Sequence, residues 1–239
     1  MTVATQTVRD IALENPATIR VFEKYGIDYC CGGRKPLAEA CQAKNIAVDE
    51  VAAALERALT EPVPQANDWA GTPLGELATH IVNTHHAYVN REVPRLAQLA
   101  QRVVSRHGDD KPELRVIEAK VAQIGDDMMH HQAKEEMILF PHIARLERAM
   151  ANGEPAPRGG FGTVKNPIEM MTSEHDSVGA LMAEVRTLSK DYTPPVGACP
   201  TFHNFFNSLR EFEQDLHQHV HLENNILFPK AIALEAAAQ

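Results

Sequence analysis

The sequence has no run of about 18 or more apolar residues, so it predicts no membrane-spanning helix. Its first residues, MTVATQTVRD, lack the basic and then hydrophobic pattern of an export signal, and a soluble, cytoplasmic protein is the expectation. Positive charge is not in excess either: 23 lysines and arginines stand against 32 acidic residues, for a formal charge of -9. These cations are scattered rather than gathered in a stripe, so a phosphate backbone would be repelled and nucleic acid is not an expected partner. Nor do the four cysteines form a disulfide framework, since two of them, Cys30 and Cys31, are adjacent and a cytoplasmic setting keeps thiols reduced. They are candidates for redox or metal chemistry. Histidine, by contrast, is plentiful, with 12 copies in 239 residues, many close to a carboxylate on segments of helical character.

A chain of this length can bury one sizeable core and carry a small second unit. Residues 1–65 read as a small helical domain, with stretches at Val8–Tyr25 and Leu37–Leu59 separated by the turn-rich segment Gly26 to Arg34. The stretch Glu61–Gly71, with two prolines and no apolar period, reads as a linker with a boundary near residue 65. Residues 66–239 carry four amphipathic segments, at about 73–106, 112–148, 167–190 and 200–236, and four helices imply an antiparallel bundle. Helix starts are signalled by Thr72 before Pro73, by Asp110 three residues before Glu113, and by Asn166 before Pro167 with Glu169 placed for a capping box.

The ends of the second and fourth segments repeat. His131 to Pro141 and His219 to Pro229 agree at six of eleven positions without a gap: the histidine, the glutamate four residues on, and Ile-Leu-Phe-Pro. This marks an internal duplication of a helical hairpin. Residues four apart share a helix face, so His131 with Glu135, and His219 with Glu223, point the same way. Two such helices about a twofold axis can aim paired carboxylates and imidazoles at a pair of cations. Further nitrogen donors should come from the first helix of each hairpin. There His85 lies mid-stripe, flanked by Ile81, Val82, Tyr88 and Val89, while His86 has Asn83 and Asn90 as neighbours and sits toward the edge. In the third segment His175 occupies the matching place. The expected ligands are therefore His85, His131, Glu135, His175, His219 and Glu223.

A lone His-xxx-Glu pair is usually a solvated pair; the duplication is what argues for metal. His107, His130, His217 and His221 have no histidine at the equivalent repeat position, or sit in a loop, and receive no role. Asp127 and Asp215 also repeat and are candidates to hold the ligand histidines by hydrogen bonds, with a solvated face as the rival reading. The Ile-Leu-Phe-Pro segments should pack the end of the bundle, with Pro141 and Pro229 kinking the helices just beyond the site. Imidazole with bridging carboxylate suits iron, with zinc and manganese left open. Cys41 and Cys199 read as structural.

These residues resemble the hemerythrin-like proteins, and more closely the iron-sulfur cluster repair di-iron family. The likeness rests on Cys30-Cys31-Gly32-Gly33, on the His-xxx-Glu repeats ending in Leu-Phe-Pro, and on Glu174-His175-Asp176. It implies an all-α, hemerythrin-like four-helix bundle behind a small helical N-terminal domain, holding two iron ions bridged by Glu135, Glu223 and an oxygen species. It also implies a cytoplasmic protein that repairs iron-sulfur clusters damaged by nitrosative or oxidative stress, by donating iron to the damaged iron-sulfur proteins that are its partners. Binding, sequestration or reduction of nitric oxide, with an enzyme activity of the nitric oxide reductase type, is one alternative. A metal-gated redox or nitric oxide sensor is the other. Nitric oxide and dioxygen are the small ligands expected, and a homodimer is the assembly to be tested. Cys30 and Cys31 are the candidate catalytic thiols, leaning over the site and receiving or steadying iron, with Arg34 and Lys35 favouring the thiolate.

Overall fold

The computed structural model describes residues 3–60, 69 and 71–238, so the expected linker and its boundary near residue 65 lie almost wholly outside the described residues. Two compact units emerge. One joins Met1–Pro73 to His217–Pro229, and the other joins Leu74–Leu216 to Lys230–Gln239. The stretch 217–229, which the sequence assigns to the bundle, thus groups with the N-terminal residues.

In the first unit each expected helical stretch is divided in two. Asn15, at φ -151°, and Pro16 separate α1 (Val8–Glu14) from α2 (Ile19–Tyr25), because proline cannot donate the hydrogen bond that would continue the helix. Asn45, at φ 55°, falls between α3 (Leu37–Ala43) and α4 (Val48–Thr60). The Thr7 hydroxyl caps α1 by accepting from Asp10 N at 3.1 Å. Val8, Phe22, Tyr29, Leu37 and Leu55 meet in one core.

Four helical runs come next in the chain, close to the expected limits. The first is α5 (Leu74–Ile81), a π turn at Val82–His86 and α6 (Ala87–His107). The second is α7 (Glu113–Lys134), a π turn at Glu135–Leu139 and α8 (Phe140–Ala151). The third is α9 (Lys165–Leu188), and the fourth is α10 (Pro200–His221), a π turn at Leu222–Leu227 and α11 (Phe228–Ala237). Within the second unit α7 packs against both α6 and α9. Lys120 pairs with Glu184 and Lys134 with Glu174, so α7 and α9 run antiparallel. The start of α10 closes the bundle: Ser208 accepts from Arg95 Nη2 at 2.8 Å, Phe212 stacks on Tyr88, and Glu213 takes the Arg186 guanidinium. Leu77, Leu96, Ile117, Ile143, Val185 and Phe205 fill the interior. The result is an all-α bundle, and no helix among the described residues is long and apolar enough to cross a membrane.

Pro141 and Pro229 do not break their helices. Each comes just after a π turn, whose wider ring accommodates a residue that cannot donate to the preceding turn.

Two helix starts are closed by carboxylates from far along the chain. Glu147, on α8, accepts from Leu74 N at 2.7 Å and Gly75 N at 2.9 Å, while Glu235, on α11, accepts from Val164 N through both oxygens at 3.0 Å. These glutamates are twelve residues beyond Glu135 and Glu223, so the duplication extends to the caps. Each satisfies orphan amides and complements the helix dipole. Local caps are replaced accordingly. Asn166 lies inside α9 and donates to Phe161 O at 2.8 Å, and α7 starts behind Pro112 rather than at an Asp110 cap. Glu147→Gln should lower unfolding free energy by about 1.5 kcal/mol, the size of a charge-assisted hydrogen bond, and Glu235→Gln should add a similar loss. Urea unfolding of the single and double variants measures both.

Candidate metal centre

The π turn at Val82–His86 inserts a residue into the first run and rotates the helix beyond it, and both His85 and His86 end up buried. His86 is the one aimed at the centre. Its Nε2 lies 3.4 Å from Glu135 Oε2, its Nδ1 donates to Glu136 Oε1 at 2.8 Å, and its ring stacks on Phe140 at 5.8 Å between centroids. His85, expected as a ligand, instead has Nδ1 against Asp215 Oδ1 at 3.0 Å and belongs to no group of converging donors among the described residues. The π turn breaks the 3.6-residue period on which the choice of His85 rests. Asp215 is also corrected: it holds His85 rather than a repeat histidine, and its repeat mate Asp127 is exposed.

His131, Glu135 and His175 do come together. One ligand atom from each lies within 4.8 Å of the others, and all three are buried. His131 Nε2 is 3.3 Å from Glu135 Oε2 and 2.9 Å from His175 Nε2. On its other side His131 Nδ1 donates to Glu174 Oε2 at 2.9 Å, and Lys134 also donates to that carboxylate. Burial alone would raise the Glu174 pKa, but the bonds from Lys134 and His131 hold it below the usual range. A carboxylate on Nδ1 fixes the proton there and turns the lone pair at Nε2 inward, for His86 as for His131.

In the first unit, His219 Nε2 lies 2.9 Å from Glu223 Oε1, and both residues are fully buried. The neighbouring His221, to which the sequence assigns no role, organises this segment. Tyr29 packs edge-on against its ring at 5.4 Å, and Asn225 Nδ2 lies 2.9 Å from its Nδ1 while also donating to Tyr29 O at 3.1 Å. Burial, then Arg9, push the His221 pKa down to about 4, so the ring is neutral. Tyr29 immediately precedes Cys30, so the cysteine turn is fastened to the stretch that carries His219 and Glu223.

Asp28 builds that turn. Its Oδ1 accepts from Cys30 N at 2.9 Å and Cys31 N at 3.0 Å, and its Oδ2 accepts from Gly32 N at 2.9 Å. Gly33 is required, because a Cβ there would lie 2.6 Å from Tyr29 O. The two sulfurs are 3.9 Å apart. The expected thiolate is not favoured at Cys30: the hydrogen bond with Cys31, then burial and the Asp28 carboxylate, push its pKa well above the usual value. Alkylation at pH 8 should therefore modify the half-buried Cys31 well before Cys30, and fragment mass spectrometry of the labelled peptide reads the order. Cys30 reacting first would overturn this assignment.

The donor set suits a cation of iron's class. Two ligands in adjacent octahedral positions, each about 2.1 Å from one ion, are about 3.0 Å apart. The 2.9 Å between His131 Nε2 and His175 Nε2 and the 3.3 Å from His131 Nε2 to Glu135 fall on that scale. Imidazole mixed with carboxylate, and no thiolate among the converging donors of the described residues, favours iron or manganese over a structural zinc site.

Residues 77–231 match the family model described as the hemerythrin HHE cation-binding domain, and residues 4–59 match ScdA_N, described as a domain of unknown function. The chain is 34% identical over 227 residues to proteins named iron-sulfur cluster repair protein YtfE from Yersinia pseudotuberculosis serotype O:1b (strain IP 31758) and Yersinia pestis (strain Pestoides F). In each case the match covers 95% of this chain and 96% of the relative.

Proposed function

The chain belongs to the iron-sulfur cluster repair family of hemerythrin HHE cation-binding proteins, and from that membership we propose that it stores two iron ions and donates iron to damaged iron-sulfur clusters of cytoplasmic proteins. In this reading His86, His131, Glu135 and His175 would hold iron, and the sequence duplication adds His219 and Glu223 as ligands. His86 thus takes the place that the sequence gives to His85. Bound there in the ferrous state, the ions would supply the iron that a damaged cluster has lost.

The protein's own part is to present and then relinquish donors. Glu136 and Glu174 keep the His86 and His131 protons on Nδ1, so that both rings coordinate without first losing a proton at Nε2. Phe140, stacked on His86, fixes the ring plane. Ligation by imidazole and carboxylate alone leaves ferrous iron more exchangeable than a thiolate cage would, as a donor requires.

The observation that carries this reading is the buried convergence of His131, Glu135 and His175 inside the matched cation-binding domain. The test mixes reduced, iron-loaded protein with an acceptor whose cluster has been partly stripped, under anaerobic conditions, and tracks cluster absorbance. Recovery at the expense of the donor's iron is expected. Failure to transfer, with consumption of nitric oxide over many turnovers, would establish the competing chemistry instead.

A further inference from the structure

The two hairpins are not equivalent at one position. Glu174 precedes His175 and locks the His131 ring, whereas the residue that precedes His86 is a second imidazole, His85. His85 is buried and makes its bond to Asp215, with Nδ1 and Oδ1 3.0 Å apart. The other Asp215 oxygen, Oδ2, is also buried and accepts no hydrogen bond among the described residues. An oxygen in that condition carries a desolvation cost that a cation relieves. Next outward is His80, one turn before the π turn, with its ring edge-on to His85 at 5.9 Å between centroids. Its Nδ1 lies 3.3 Å from Thr84 Oγ1, and it is only half-buried.

Imidazole and carboxylate donors therefore run from beside the proposed ligand His86 to the surface, in order of increasing exposure. We propose that His85, Asp215 and His80 form a transit site for ferrous iron, a weak station through which an ion passes between the buried centre and solvent. The inference rests on the iron-donor reading and deepens it by assigning the exit. The need for such a station is physical. Glu135 is fully buried, and a divalent ion crossing an unlined protein interior would lose its hydration with nothing in exchange. Each step trades ligands of one kind for another: His85, its proton held at Nδ1 by Asp215, offers Nε2 to the ion, Asp215 Oδ2 offsets its charge, and His80 passes it to water. No electron moves and no covalent bond forms, so the ion leaves as it was held, in the ferrous state.

The experiment uses full-length protein loaded anaerobically with ferrous iron, in the wild type and in His80→Ala, a substitution on a half-exposed surface. Iron content is measured first, and then the rate at which a soluble ferrous chelator captures the iron. His80→Ala should keep the wild-type iron content and the wild-type spectrum of the centre while releasing iron about tenfold more slowly, the usual scale for loss of an auxiliary donor. Asp215→Asn should slow release in the same direction. Release from His80→Ala at the wild-type rate overturns the transit site, as does a variant that no longer loads the centre. Since the chelator replaces the cluster acceptor, a wild type that releases iron here yet never repairs an acceptor would sink the repair reading and leave the transit site standing.

Discussion

Glu135→Ala is expected to bring iron content down from the two ions proposed per chain to one or fewer, with metal affinity falling by at least about 100-fold. The size reflects position. Glu135 is fully buried, and its Oε2 lies within 3.4 Å of both His86 Nε2 and His131 Nε2, so one substitution removes the carboxylate that both histidines face. The metal-free variant should behave oppositely. A buried carboxylate without its cation is expensive, so the iron-free Glu135→Ala chain should be as stable as the iron-free wild type or more so, and its helical circular dichroism should be unchanged. Iron titration and thermal unfolding of the same preparations separate the two effects. Retention of both ions at wild-type affinity would take Glu135 out of the shared position. Glu223→Ala should act alike.

Arg186→Ala should destabilise the chain by about 3–5 kcal/mol, and lower its melting temperature by about 10 °C, without touching the metal centre. The guanidinium grips Glu213 Oε2 through two nitrogens, at 2.6 and 3.0 Å, and the Glu213 side chain is 4% exposed. Removing the arginine strands that carboxylate in the bundle. Replacing both partners with leucine should recover most of the loss, since no charge is then left buried. If Arg186→Ala unfolds like the wild type, water reaches Glu213 readily and the pair adds little.

The helical runs were legible because amphipathic periodicity persists over more than twenty residues in each, and the duplication exposed His131, Glu135, His219 and Glu223 as one pattern. The structure places His86 rather than His85 beside Glu135, because a π turn shifts register by a residue and neighbour counting assumes the α period. No local signal in Val82–His86 announces that turn. The long-range caps were equally hidden: Glu147 and Glu235 act more than seventy residues from the amides they close, so local readings chose Asp110 and Asn166 instead. A small readable clue existed, since both glutamates stand twelve residues beyond the repeat glutamates. His221 has no repeat partner. Its role comes from Tyr29 in the N-terminal unit, and a comparison between hairpins cannot register it. At Cys30, proximity in sequence to Arg34 and Lys35 argues for an acidic thiol, whereas the hydrogen bond with Cys31, then burial and the Asp28 carboxylate beneath the turn, raise its pKa.

The reciprocal closure by Glu147 and Glu235 bears on ancestry. Each glutamate belongs to the same hairpin as the helix start that it seals, so either half-length peptide already carries what it needs to finish its own ends. The imidazole at position 85, where the other hairpin has the carboxylate of Glu174, marks a point at which the duplicated halves differ.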